Sequence, residues 1–307
     1  MTSDRNFEKT ISRRAVLGGL LGTLMLPDIA SALDTPVNPP LIGRDYAHDR
    51  QAFRTHLLTK GPAPDKYEPL DPPANAERIF YTSGHNGNLH LAAWVSKHQP
   101  SHKLRPGVLF LHGGNAMGTG HWTLMKPYID SGYMVMMPTV RGENGQAGSF
   151  SGFYNEVSDV LAAADHLAGM PGVDGNRLFI AGHSIGGTLT MLSAMASNRF
   201  RAAVPISGNP NAFRFFRRYP EDIRFDDSDV REFEVRTALC YAQSLKCPTY
   251  LMHGTKEPHL NQGARLMEKR AKAAGLPIEA SRIEGDHTTA LPKAISRSIS
   301  FFRSVST

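Results

Sequence analysis

The segment "FIAGHSIGGTLTM", Phe179 to Met191, decides the fold. Apolar and small residues run straight into Ser184, glycines stand two positions to either side (Gly182, Gly186), and helix-forming residues follow. G-x-S-x-G between a strand and a helix is the sequence form of a nucleophile elbow. The serine takes a strained turn, and strand and helix pass too closely for larger residues beside it. The same letters also fit a plain glycine turn. A serine hydroxyl is a poor nucleophile at neutral pH, so the choice rests on finding a base, an acid and oxyanion donors elsewhere.

Outward from the elbow, short apolar runs alternate with helix-length segments. "PGVLFLHGG", "YMVMMPTVRG", "RLFIAGHS", "RAAVPISG", "PTYLMHG" and "IEASRIEG" read as strands. Between and after them, helices are expected over 121–131, 154–169, 185–198, 230–244, 261–274 and 289–304. Continuous apolar strands alternating with helices imply a mainly parallel sheet covered on both faces. Ahead of these, "RIFYTSG" and "LHLAAWVSK" flank an Asn-Gly turn and predict an antiparallel hairpin. The expectation is an α/β fold: a mainly parallel sheet of eight strands flanked by helices, with the antiparallel hairpin at one edge. Residues 209–235 lack a strand and are long enough to form a short lid.

In that frame the partners of Ser184 have expected places. His287, in "EGDHTTAL" after the last strand, is singled out among thirteen histidines by position; His253 and His259 are its neighbouring rivals. Glu257 follows the strand "PTYLMHG" and would orient His287, giving the order Ser184, Glu257, His287. Asp286 is adjacent to His287 and cannot easily fold back onto it. Oxyanion donors are expected from the amide of Ile185 and from Gly114 or Asn115 in "LHGGNAMGTG". Trp122, Phe150, Phe153 and Phe215 are candidates for the pocket wall. Arg214, Arg217 and Arg218 either grip a substrate carboxylate or form a basic helix face over inward phenylalanines.

The chain has 307 residues, 41% hydrophobic and 20% charged, with a formal charge of +6. That is ordinary globular composition, and no basic run with interleaved aromatics suggests nucleic-acid binding. Two cysteines, Cys240 and Cys247, lack metal-type spacing, and either a short-loop disulfide or two buried thiols fits them. No HExxH pattern occurs, and no metal or organic cofactor is expected. Residues 1–32 carry "SRRAVLGGLLGTLML" and then Ala30-Ser31-Ala32. This is the layout of a twin-arginine export signal with an A-x-A cleavage site, too short in its apolar run for a stable membrane anchor. The export machinery is therefore an expected partner, and the expected location is periplasmic or secreted. Residues 33–75 read as a proline-rich arm and 76–307 as the catalytic domain.

The stretch "TVRGENGQAGSF", the acidic positions of the helix after it and "GVDGNRLFIAGHSIGG" resemble the prolyl oligopeptidase catalytic domain and its dienelactone-hydrolase-like relatives. The resemblance implies Ser184 as nucleophile and His287 as base, with Glu257 where the family usually carries aspartate. It implies an α/β-hydrolase fold and a serine hydrolase acting on small esters or short peptides. The chain has no room for the propeller that gates the family's peptidases, which leaves carboxylic esters the first expectation and an exopeptidase or amidase the alternative. A hydrolase-fold binding protein without catalysis is a third.

Overall fold

The computed structural model describes residues 38–67, 69, 71–98 and 103–306. The expected export signal and the first residues of the arm lie outside them. Eight strands form one sheet: β1 (Ala76–Ser83), β2 (Leu89–Ser96), β3 (Arg105–Leu111), β4 (Met134–Pro138), β5 (Val173–His183), β6 (Ala202–Ile206), β7 (Thr249–Gly254) and β8 (Ile278–Ile283). Their spatial order is β1-β2-β4-β3-β5-β6-β7-β8. β1 pairs antiparallel with β2, and β2 with β4; every pairing from β4 to β8 is parallel. The hairpin turns where expected, with Asn86 at φ 58° and Gly87 at φ 68°.

The sheet buries both faces, which is why the central strands read as unbroken apolar runs. One face packs against α4 (Glu156–Gly169) and α5 (Ile185–Ala196), with Val157, Val160, Leu189 and Leu192 in the contact layer. The other packs against α3 (Lys126–Asp130) and α9 (Leu291–Ser304). Leu291, Ala294, Ile295, Ser298, Ile299 and Phe302 make one buried stripe on α9 at helical spacing, and Phe302 stacks on Phe179 of β5 with centroids 4.6 Å apart.

Several helices differ from expectation. The segment 121–131 is broken into α2 (Thr119–Thr123) and α3, because Pro127 is accommodated only in a first turn. The expected helix 230–244 is α7 (Val230–Glu234), a turn, and a 3-10 segment Ala238–Ser244 kinked at Tyr241. The helix after β7 starts earlier than expected: α8 runs Pro258–Ala273, with Glu257 at its N-cap.

The arm from residue 38 is laid onto the hydrolase domain. Asp45 caps α1 (Tyr46–Ala52), Tyr46 is fully buried, and Ile42, Thr59 and Ala63 hydrogen-bond the backbone of Cys240, Arg224 and Gly142. Residues 209–235 contribute α6 (Ala212–Arg218) and α7, whose Phe213, Phe216 and Phe233 pack with Phe225 into a buried aromatic cluster. Cys240 and Cys247 are free and buried, and burial pushes both thiols up to about 12. They are the packed thiols of the two alternatives.

Candidate active site

Between β5 and α5, Ser184 sits at φ 56° and ψ −119°. For a residue with a Cβ that backbone costs about 1–3 kcal/mol, and it persists only where the surroundings hold it. Here they do. A Cβ on Gly182 would lie 2.3 Å from the carbonyl oxygen of Gly186, and one on Gly186 would lie 2.2 Å from that of Leu111. The amide of Ser184 donates to the Ile206 carbonyl at 2.9 Å. The two elbow glycines exist because β5, α5 and the end of β3 converge on this serine.

Glu257 follows β7 and is buried, with every contact on its carboxylate pointing into the site. Its Oε2 accepts from Ser207 Oγ at 2.6 Å and from the Gly254 amide at 2.6 Å. Its Oε1 lies 2.6 Å from His287 Nδ1. Against the upward pull of burial, the hydrogen bonds from His287, Ser207 and Gly254 hold the carboxyl below its ordinary range. An ionised acceptor at that distance fixes the proton on His287 Nδ1 and leaves Nε2 as the free basic nitrogen. The extra methylene of glutamate is taken up by the placement of Glu257 at the N-cap of α8, against Ser207.

His287 rides on the loop between β8 and α9. Asp286 builds that loop by accepting from the amides of Thr288 and Thr289 and from the Thr289 hydroxyl, which occupies it. His287 is also tied to the elbow. Nε2–H of His183, the residue before Ser184, donates to the His287 carbonyl at 2.8 Å, and the two rings lie 4.6 Å apart. Burial, with the nearby His287, pushes His183 down to about 4, so it is a neutral donor at pH 7. Ser184 and His287 line one cavity of about 450 Å³ without a direct hydrogen bond between them. Uncomplexed hydrolase sites commonly tighten that contact only around substrate.

The glycine turn after β3 abuts the elbow serine: a Cβ on Gly113 would lie 3.3 Å from Cβ of Ser184. The turn is clamped by the "RGENG" loop. His112 Nε2 lies 3.2 Å from Glu143 Oε2, and Asn144 accepts from the Met117 amide and donates to its carbonyl. Arg141 is gripped by Asp159 of α4, which also takes the Ser83 hydroxyl. The loop and the acidic helix positions thus form one scaffold behind the turn. Of the expected oxyanion donors, Ile185 is the first residue of α5, so its amide has no intrahelical partner. Asn115 does not offer its amide to the cavity, because that N–H donates to Asp65 Oδ2 of the arm at 2.8 Å. Gly114, at φ 72°, is the candidate this turn retains.

The expected pocket wall needs correction at three of four positions. Phe215 lines the cavity. Trp122 instead lies in the core, its Nε1 donating to Asn75 and its ring edge-on to Trp94. Phe150 and Phe153 are each 1% exposed and pack on one another, with Phe153 behind Phe215. His259 lines the cavity but Glu257 is engaged by His287, and His253 is buried. Residues that the sequence reading did not single out include His183, Ser207, Glu143, Asn144 and Tyr219. A histidine inside G-x-S-x-G was the one visible signal among them.

The fold is that of the α/β-hydrolases, with a strained serine elbow and a glutamate–histidine pair on one cavity. The model of the prolyl oligopeptidase family matches residues 122–290, and the chain belongs to that family. It is similar to the candidate esterase YitV of Bacillus subtilis, 24% identical over 157 residues that make up 47% of this chain and 62% of YitV. Among solved structures, the acylaminoacyl peptidase of Pyrococcus horikoshii superposes with a TM-score of 0.62 at 19% identity, over 74% of this chain and 40% of the peptidase. A candidate dienelactone hydrolase of Klebsiella pneumoniae superposes with a TM-score of 0.54 at 19% identity, over 74% of this chain and 98% of that one. The chain thus spans less than two thirds of YitV and of the peptidase.

Proposed function

We propose that this chain is an exported serine hydrolase cleaving carboxylic esters and other activated acyl groups, with Ser184 as nucleophile, His287 as general base and Glu257 as the acid that orients it. The observation that carries the proposal is the 2.6 Å contact between His287 Nδ1 and buried Glu257, beside a serine held at φ 56° on the same cavity.

In the proposed reaction His287 Nε2 takes the Ser184 proton as Oγ attacks the acyl carbonyl. The amides of Ile185 and Gly114 stabilise the developing oxyanion. The imidazolium then protonates the leaving alcohol, whose C–O bond breaks, and an acyl-Ser184 ester remains. Water attacks that ester with His287 again as base, releasing the acid and regenerating the serine. Glu257 stays ionised throughout and stabilises the imidazolium.

Turnover of 4-nitrophenyl butyrate by the wild type and by Ser184→Ala tests this. The variant should lose about 10⁴-fold or more in kcat while melting normally. Residual turnover above about a thousandth of wild type would exclude Ser184 as nucleophile. A folded wild type with no turnover of any ester or amide would favour the non-catalytic reading. Amide cleavage is the second reading, supported by the family match, and the same machinery would serve it.

Export belongs to the proposal on the strength of Arg13, Arg14 and the apolar run after them. Arg13→Lys with Arg14→Lys should strand the protein in the cytoplasm of a bacterial host. An unchanged periplasmic fraction would contradict this.

A further inference from the structure

The cavity lined by Ser184 and His287 carries two arginines that no carboxylate among the described residues matches in an ion pair. Arg214 and Arg218 lie one helical turn apart on α6, at i and i+4, and both line the cavity with Ser184 and His287. That spacing puts the two guanidinium groups on one helix face. Arg214 makes a single side-chain contact, 3.3 Å to the neutral Oε1 of Gln262 on α8. Among the described residues neither arginine forms an ion pair. This contrasts with Arg141, Arg236 and Arg177, which are each matched to a carboxylate at 2.7 Å or less.

Two carboxylates, Glu257 and Asp286, share the cavity with the pair, and each is engaged by other partners. Glu257 is held by His287, Ser207 and Gly254, and Asp286 by Thr288 and Thr289. Lys256 adds a third positive charge on the same cavity. His259 feels the field: burial, opposed by Glu257 and reinforced by Arg218 and Arg214, lowers it below its ordinary value. Phe215, Tyr219 and Leu260 supply apolar wall beside these charges.

We infer that Arg214 and Arg218 form a carboxylate subsite, and that the substrate is an acyl compound bearing a free carboxylate within reach of Ser184. The half ester of a dicarboxylic acid and a short acyl-peptide with a free C-terminus share this chemistry. The guanidinium fork matches a carboxylate and is weakly hydrated, so it serves such a site better than lysine would. This inference rests on the proposed hydrolase function of the same cavity.

The test compares kcat/KM for the 4-nitrophenyl half ester of glutaric acid with that for neutral 4-nitrophenyl butyrate, and for a short acyl-peptide with a free against an amidated C-terminus. The wild type should prefer the carboxylate member of at least one pair. The preference should fall about tenfold in Arg214→Gln with Arg218→Gln, chiefly through KM, and weaken with salt. Which pair shows it distinguishes the two sources. A loss of both members in equal proportion, or a wild-type preference for the neutral members, would overturn the subsite. Calorimetric binding of glutarate monomethyl ester to Ser184→Ala separates the two layers of the account. Arginine-dependent binding together with an inactive wild type would sink the hydrolase reading and leave the subsite. Turnover of neutral esters without arginine-dependent binding would do the reverse.

Discussion

Ser184 and His287, the proposed nucleophile and base, are held by different physics. Around Ser184 the constraint is steric and made of backbone: glycines at 182 and 186 let a strand, a helix and a neighbouring strand meet, with no room for one methyl group. Around His287 it is polar and made of side chains. Glu257 holds Nδ1, His183 holds the carbonyl, and the imidazole itself is 46% exposed on a loop. A steric site is rigid and intolerant of substitution, whereas a hydrogen-bonded one loses function in proportion to the bond removed. A serine must be fixed before substrate arrives, and a base that serves two opposite proton transfers can tolerate small movement.

The sharpest way to break this contrast is Gly186→Ala. The added Cβ would sit 2.2 Å from the Leu111 oxygen and 2.4 Å from that of His112. β3 and α5 must then part, costing about 3 kcal/mol or more and all activity; thermal melting with an ester assay reads both. A variant that melts and turns over as wild type would show the elbow to be looser than described.

Glu257→Gln probes the polar side. The fold should survive, because Ser207 and Gly254 still find an acceptor, while kcat falls about 10²- to 10⁴-fold as the orientation of His287 is lost. The wild-type carboxylate, lowered below its ordinary 4.5, contributes stability at pH values above 4.5 that disappears as acid protonates it in the folded state. The Gln variant should therefore lose its stability deficit in acid. Full activity in the variant would place the acid elsewhere.

The smallest effect lies where the arm and the segment 209–235 meet the glycine turn. Asp222 is buried near Asn115, whose Oδ1 lacks a partner, and burial with Glu221 and Asp65 pushes Asp222 up to about 6. Its folded-state pKa is raised above 3.8, so stability falls as pH rises from about 4 through 6, by on the order of 2 kcal/mol. Asp222→Asn should raise Tm at pH 7.5 and change it little at pH 4. A uniform change at both would remove the charge as its cause.

Legibility in the sequence followed the same division. Backbone-level features are written in local pattern: the apolar runs, the Asn-Gly hairpin, G-H-S-I-G, and the late positions of Glu257 and His287 all stand where expected in the chain and meet in one cavity. What could not be read depends on partners distant in sequence. The Asn115 amide is occupied by Asp65, fifty positions earlier, and nothing local to either residue announces it. Trp122, Phe150 and Phe153 are aromatic near the motifs, but aromatic character does not separate a core position from a pocket wall. The α6 arginines left both of their readings open. Phe213 and Phe216 turn inward, as the basic-face reading has it, while Arg214 and Arg218 line the cavity, the placement on which the proposed carboxylate subsite rests.

The most direct test of the central claim is to treat the mature protein with a fluorophosphonate and map the adduct by mass spectrometry, beside Glu257→Gln. The account predicts one adduct, on Ser184, forming rapidly in the wild type and far more slowly in the variant. An adduct on another residue, or none on a protein that melts cooperatively, would contradict it.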